Sequence, residues 1–169
     1  MGKINSITKQ TDNRYVNLYN VKATSVHNTP VNYFVASRAK DVDSLKMVTR
    51  KKNPDGVIIY SIYGQKKDKV VLVRQYLYTL GDYIYEFPAG LVEPGEDFHE
   101  GAVREMYEET GLKLEPLKVD PAFEKPYFTT VGMTDESCAT VYGYASGEIS
   151  KAAQEDSEEI EIVLADRTE

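Results

Sequence analysis

Apolar and polar positions alternate in short runs along most of this chain, and those runs predict strands. From Arg14 to Arg38 (RYVNLYNVKATSVHNTPVNYFVASR), β-branched and aromatic residues recur on either side of a polar break at His27–Pro30, which predicts two strands joined by a turn. Ala39–Asp55 is polar and predicts a connection. Gly56–Tyr63 (GVIIYSIY) and Lys69–Tyr76 (KVVLVRQY) predict buried strands of a mixed sheet, separated by a turn at GQKKD. Tyr83–Phe87 is followed by PAGLVEPGED, whose prolines and glycines predict a loop. The helical pattern of Phe98–Thr110 is framed by Asp97 as a cap and by Gly111, suited to a left-handed terminus. Lys113–Phe123, Ser137–Glu148 and Ile160–Ala165 predict further strands, Glu124–Glu136 a loop, and Ser150–Asp156 an irregular stretch. Several strands around one clear helix predict an α/β (α+β) sandwich rather than a bundle.

Composition narrows the function classes. The 169 residues, 41% of them hydrophobic, suffice for one sizeable domain with a small appendage, which excludes a disordered chain. A formal net charge of −7 provides no overall positive field for nucleic acid or anionic lipid, so an anionic substrate needs a metal or a few placed cations. The lone Cys138 forms no internal disulfide, MGKINSITKQ lacks the apolar centre of a signal peptide, and no apolar run approaches membrane-spanning length. A soluble, cytoplasmic protein is the expectation.

The predicted helix carries its acids in an unfavourable place. At about 100° per residue, Ala102, Val103, Met106, Tyr107 and Thr110 occupy an arc of roughly 140°, the expected core face, and Glu105, Glu108 and Glu109 cluster within roughly 100° on the other side. Like charges at this spacing cost roughly 0.2–0.5 kcal/mol each, and acids in the last turns oppose the helix dipole. A divalent cation removes both penalties, because Mg²⁺ takes hard oxygen ligands. A solvated acidic face is the alternative for an arbitrary helix.

The surrounding segment decides between them. Gly90 to Leu112, GLVEPGEDFHEGAVREMYEETGL, resembles the Nudix box, G-x5-E-x7-R-E-U-x-E-E-x-G-U with U a bulky aliphatic residue, at every fixed position. Gly90, Glu96, Arg104, Glu105, Met106, Glu108, Glu109, Gly111 and Leu112 supply them. A chance match in a chain of this length is on the order of 10⁻⁷ or rarer. The resemblance implies the Nudix fold, a mixed β-sheet sandwiched between helices, and a Mg²⁺-dependent pyrophosphohydrolase, with Mn²⁺ as an alternative ion. It implies metal ligands at the Ala89 carbonyl, Glu105 and Glu109, with Glu108 as a third side-chain ligand or holding a metal-bound water. Gly90 lets the chain turn so that the preceding carbonyl faces the metal. Arg104 is expected to orient a box carboxylate, Glu105 in the first instance, and Glu96 to pair within the loop and helix.

Outside the box, EFPAGLVEPGE, VVLVRQY and the strand pair ending YFVASR resemble the ADP-ribose pyrophosphatase branch. This implies an amino-terminal antiparallel β subdomain over residues 1–50, serving a homodimer and the substrate pocket, ahead of a catalytic domain over 51–169 with its box at 90–112. By the same resemblance Arg38 falls where a phosphate-binding arginine is placed, a bidentate role that suits a guanidinium, and Tyr33 where a ring stacks on the nucleobase. Arg74 is expected to be structural. Many relatives read R-Q-Y-R where this chain has Arg74-Gln75-Tyr76-Leu77, so one basic residue near the nucleotide is missing, and Tyr78 or Tyr83 is a candidate to compensate by stacking. The base that deprotonates water is expected in a late acidic loop: Asp156, one methylene shorter than the usual glutamate, or Glu158, with Glu136 of the GMTDE loop as a rival. Relatives usually continue past the position of Glu169 into a helix, so the expectation is either a naturally short form or a truncated chain. ADP-ribose is the leading substrate, GDP-mannose or a UDP-sugar the alternative, and a non-catalytic nucleotide sensor the competing class; a nucleic-acid partner is not expected.

Overall fold

Most of the expected strands form in the computed structural model, which describes residues 1–154 and 159–166. In chain order the elements are β1 (Lys3–Lys9), β2 (Asn17–Thr24), β3 (Pro30–Ser37), α1 (Lys46–Thr49), β4 (Gly56–Tyr63), β5 (Lys69–Leu77), β6 (Asp82–Glu86) and β7 (Ala89–Leu91). They are followed by α2 (Phe98–Thr110), β8 (Lys113–Pro116), β9 (Tyr127–Phe128), β10 (Ser137–Ser146) and β11 (Ile160–Ala165). The chain divides into two compact units, Met1–Asn53 with Tyr127–Ser137, and Pro54–Pro126 with Cys138–Glu169.

In the first unit β1, β2 and β3 form an antiparallel meander. The β2–β3 turn places Asn28 at φ 60°, a left-handed conformation that asparagine tolerates well. Alternation buries Tyr19, Val21 and Val35, while Leu18 and Phe34 stay exposed on the opposite face. β1 was not expected: KINSITK is too polar to signal a strand, but its backbone pairs with β2 from Lys3↔Thr24 to Lys9↔Tyr19. The stretch 129–136 is tied to β3, since Ala36 N donates to Met133 O at 2.9 Å and Tyr33 Oη donates to Gly132 O.

In the second unit a mixed sheet runs in the order β11-β5-β4-β10-β8, with β6 beside β5 and β7 beside β4. β4 and β10 are parallel, Val57 opposite Ala139 and Ile59 opposite Val141, and the other pairs are antiparallel. One face packs against α2: Ala102 and Met106 meet Val57, Ile59, Val71, Val141, Leu112 and Leu114. Each large apolar side chain buried there contributes about 1.5–3 kcal/mol. The Asp97 carboxylate caps α2 by accepting from His99 N at 2.9 Å, and Gly111, at φ 74°, ends it.

Three expectations need correction. The stretch PAGLVEPGED is not wholly loop, because Ala89–Leu91 pairs with Gly56–Ile58 as β7. The strand from Lys113 stops at Pro116 and does not reach Phe123. The buried face of α2 is also turned, by about 80° at 100° per residue, towards its acids. Val103 and Tyr107 are 39% and 54% exposed, while Gly101 and Glu109 are buried. Strand β7 packs on this side of the helix, with Gly90 against the Glu105 carboxyl.

Candidate active site

Strand β7 and helix α2 bring the two ends of the glycine-to-glutamate motif together. Ala89, Gly90, Leu91, Arg104, Glu105 and Glu108 line a cleft of about 490 Å³. The Glu105 carboxyl lies directly over the Gly90 α-carbon: a Cβ built there would stand 1.9 Å from Glu105 Cδ. Only glycine admits that approach, so this position is set by contact with the helix acid rather than by a left-handed φ.

Arg104 organises the acids. Its Nε and Nη2 donate to the two carboxylate oxygens of Glu96, each at 3.0 Å, and Nη1 donates to Glu105 at 2.8 Å and to Glu108 at 2.9 Å. Nη2 also donates to Leu91 O at 2.9 Å. The bidentate fork on Glu96 is the strongest geometry available to this pair. These bonds hold the guanidinium pKa well above its ordinary value, Glu96 contributing most. In return Arg104, and then the backbone N–H of Glu93, hold the Glu96 carboxyl below its ordinary value. The expectation that Arg104 orients Glu105 thus describes one of three carboxylates it holds.

The acids differ in exposure. Glu108 has 45% of its side chain exposed and Glu105 14%, while Glu109 is enclosed at 4%. Their carboxylate oxygens are hard donors of the kind a divalent cation takes, and the Gly90 hollow admits the Glu105 carboxyl against the β7 backbone, so the residues present fit such an ion. Among the described residues no cluster of three or more His, Cys, Asp or Glu side chains is gathered as a ready metal cage.

The other sequence-derived residues fall as follows. In the first unit Arg38 Nε donates to Glu136 Oε1 at 2.9 Å, so the expected phosphate-binding arginine and one candidate base form an ion pair. Tyr33 is 44% exposed, with its hydroxyl anchored on Gly132. Asp156 and Glu158 lie outside the described residues. Arg74 pairs with Glu161 at 3.0 Å and covers the Tyr83 ring at 3.9 Å, and Tyr83 Oη donates to Glu159, so these groups brace the β5–β6–β11 edge. Sequence reasoning passed over Leu91, whose part is played by a backbone carbonyl, and Glu86, the last residue of β6. Burial raises the Glu86 carboxyl above its usual range.

Comparison with known proteins follows the same geometry. The NUDIX domain matches residues 52–167, more than half the chain and the whole of the Gly90–Gly111 constellation. The chain belongs to the NUDIX family. Among curated relatives, the ADP-sugar pyrophosphatase of Mus musculus is 39% identical over 83 residues, covering 47% of this chain and 38% of that protein. The ADP-ribose pyrophosphatase of Saccharomyces cerevisiae is 32% identical over 101 residues, covering 57% and 44%. The chain thus spans less than half the length of either relative. A crystal structure described as an ADP compounds hydrolase superposes with a TM-score of 0.73 at 20% identity, over 99% of this chain and 79% of that one, and this likeness establishes the fold. The mixed sheet lies within the matched NUDIX region, and the antiparallel β1-β2-β3 sheet precedes it in the chain. NUDIX hydrolases act on small nucleotide substrates and generally use a divalent metal. No helix among the described residues is long and apolar enough to cross a membrane.

Proposed function

We propose that this NUDIX hydrolase cleaves the diphosphate of ADP-ribose to AMP and ribose 5-phosphate, using Mg²⁺ or in its place Mn²⁺, as a homodimer in the cytoplasm. The observation that carries the reading is the Arg104-centred set of Glu96, Glu105 and Glu108 beside the Gly90 hollow, taken with relatives whose names specify ADP-sugar and ADP-ribose.

The Ala89 carbonyl, Glu105, Glu108 and Glu109 would hold the ion. When bound, it supplies positive charge against the phosphate oxygens on which charge develops. Arg104 keeps the Glu105 and Glu108 carboxylates turned towards β7 before substrate arrives, which lowers the reorganisation the reaction requires. Arg38 grips the diphosphate and Tyr33 offers its ring face to the base, while the Tyr33–Gly132 bond limits that ring's rotation. The water proton passes to a late-loop carboxylate, for which Asp156, Glu158 and Glu136 are candidates. The ion pair with Arg38 favours for Glu136 the task of holding the guanidinium, which leaves Asp156 or Glu158 as base. The amino-terminal strands of residues 1–50 serve the dimer and the substrate pocket, and the exposed Leu18 and Phe34 provide apolar surface for association.

The test is a panel of ADP-ribose, GDP-mannose and a UDP-sugar, each with Mg²⁺, with products separated chromatographically. AMP and ribose 5-phosphate formed from ADP-ribose at the highest kcat/KM is the expected result. Preference for another sugar nucleotide would transfer the substrate assignment to it, and binding without product would make the protein a sensor.

A further inference from the structure

The two late-loop acids belong to a short span of chain with an anchor at each end. Residues 155–158, which include Asp156 and Glu158, join Gln154 to Glu159. At one end the Glu159 carbonyl accepts from Tyr76 N at 3.2 Å and its carboxylate accepts from Tyr83 Oη, which holds Glu159 to β5 and β6. At the other end Gln154 Nε2 donates to the backbone carbonyl of Glu109 at 2.6 Å. A carbonyl only accepts, so this bond fixes which way the Gln154 amide points. The helical donor to Glu109 O would be Lys113 N, but Lys113 already belongs to β8.

The neighbouring residues close the end of α2 by other means. Ser150 N donates to Thr110 O at 2.9 Å, and Gly111 N donates to Tyr107 O at 2.8 Å. Ser150 also packs so closely on Gly111 that a Cβ built there would stand 2.6 Å from Ser150 Cβ. The helix end is therefore capped without Gln154, whose amide adds a tie at the last residue before the span.

We infer that Gln154 is a positioning residue for the hydrolytic base: its side-chain amide registers the span carrying Asp156 and Glu158 against the turn of α2 that bears Glu109. The inference rests on the reading above, in which Glu109 holds the ion and one of those two acids takes the water proton. An extended chain covers at most about 3.3–3.6 Å per residue, so a four-residue span between two fixed ends confines any acid within it. With the Gln154 end untied, the same acid samples a larger volume, and a displacement of about 1 Å can cost about a hundredfold in rate.

The test compares Gln154→Met, which keeps the length and loses the N–H donor, with Gln154→Lys, which returns a donor to the same carbonyl. Steady-state kinetics are measured with Mg²⁺ and ADP-ribose, or with whichever panel substrate has the highest kcat/KM. In Gln154→Met kcat is expected to fall about tenfold or more with KM little changed, and in Gln154→Lys to stay within about threefold of wild type. In an Asp156→Ala/Glu158→Ala background, Gln154→Met is expected to cost nothing further, because it acts through an acid no longer present. Wild-type kcat in Gln154→Met, or a loss of the same size in that background, would overturn the proposal. A wild-type protein inert towards the whole panel would remove the substrate reading, and the proposal with it.

Discussion

The Glu105 carboxyl rests against the Gly90 α-carbon so closely that no side chain fits between them. The β7 strand and the acidic side of α2 are therefore one structural unit, and a change on either side is felt by both.

Gly90→Ala tests that contact. The added methyl must push the carboxyl end of the Glu105 side chain aside, and moving a flexible side-chain end costs little stability in itself. Denaturant unfolding is expected to change little, while kcat falls about a hundredfold or more from the misplaced carboxylate. Activity within a few-fold of wild type would show that the contact is dispensable.

Removing Arg104 leaves Glu96, Glu105 and Glu108 facing one another without their shared cation. Arg104→Ala is expected to lose about 2–3 kcal/mol of stability, somewhat less than for a fully buried ion pair because 27% of the Arg104 side chain is exposed. Arg104→Lys is expected to recover less than half, since an ammonium cannot span Glu96 bidentately while reaching the other two acids.

Glu96 supplies the pH dependence. Its carboxyl is held below the ordinary value of 4.5, so its ion pair stabilises the fold fully above that value and the contribution disappears as pH falls through the lower, folded-state pKa. Thermal melts between pH 3 and 6 are expected to show a steeper acid-side fall in the wild type than in Glu96→Gln.

The Arg38–Glu136 pair separates two roles for one acid. Arg38→Ala is expected to raise KM for ADP-ribose about tenfold or more, and Glu136→Gln to raise KM in the same direction with kcat little changed. A fall in kcat of about a hundredfold in Glu136→Gln would instead identify Glu136 as the base.

Much of this architecture was legible where local chemistry suffices. β4, α2 and β11 have the bounds read from their apolar patterns, and the Asp97 cap and Gly111 terminus are stated by residue type and place. What escaped depends on partners distant in the chain. β1 is a strand because β2 offers it a backbone edge, and β7 forms among prolines and glycines because β4 lies alongside. The turned face of α2 is of the same kind: periodicity alone assigns Tyr107 to the core and Glu109 to solvent, and the folded chain leaves Tyr107 exposed and Glu109 buried. In the site, the motif named the acids, but the distribution of Arg104 over three carboxylates and a carbonyl is a property of the folded chain.

The central claim is that the α2 carboxylates serve a divalent cation engaged with a nucleoside diphosphate. Calorimetric titration of Mg²⁺ into the protein, with a non-hydrolysable ADP-ribose analogue present, measures this most directly. Saturable uptake in the wild type that is abolished in Glu105→Gln and Glu109→Gln is the predicted result; no uptake by the folded wild-type protein, with Mn²⁺ as with Mg²⁺, would contradict it.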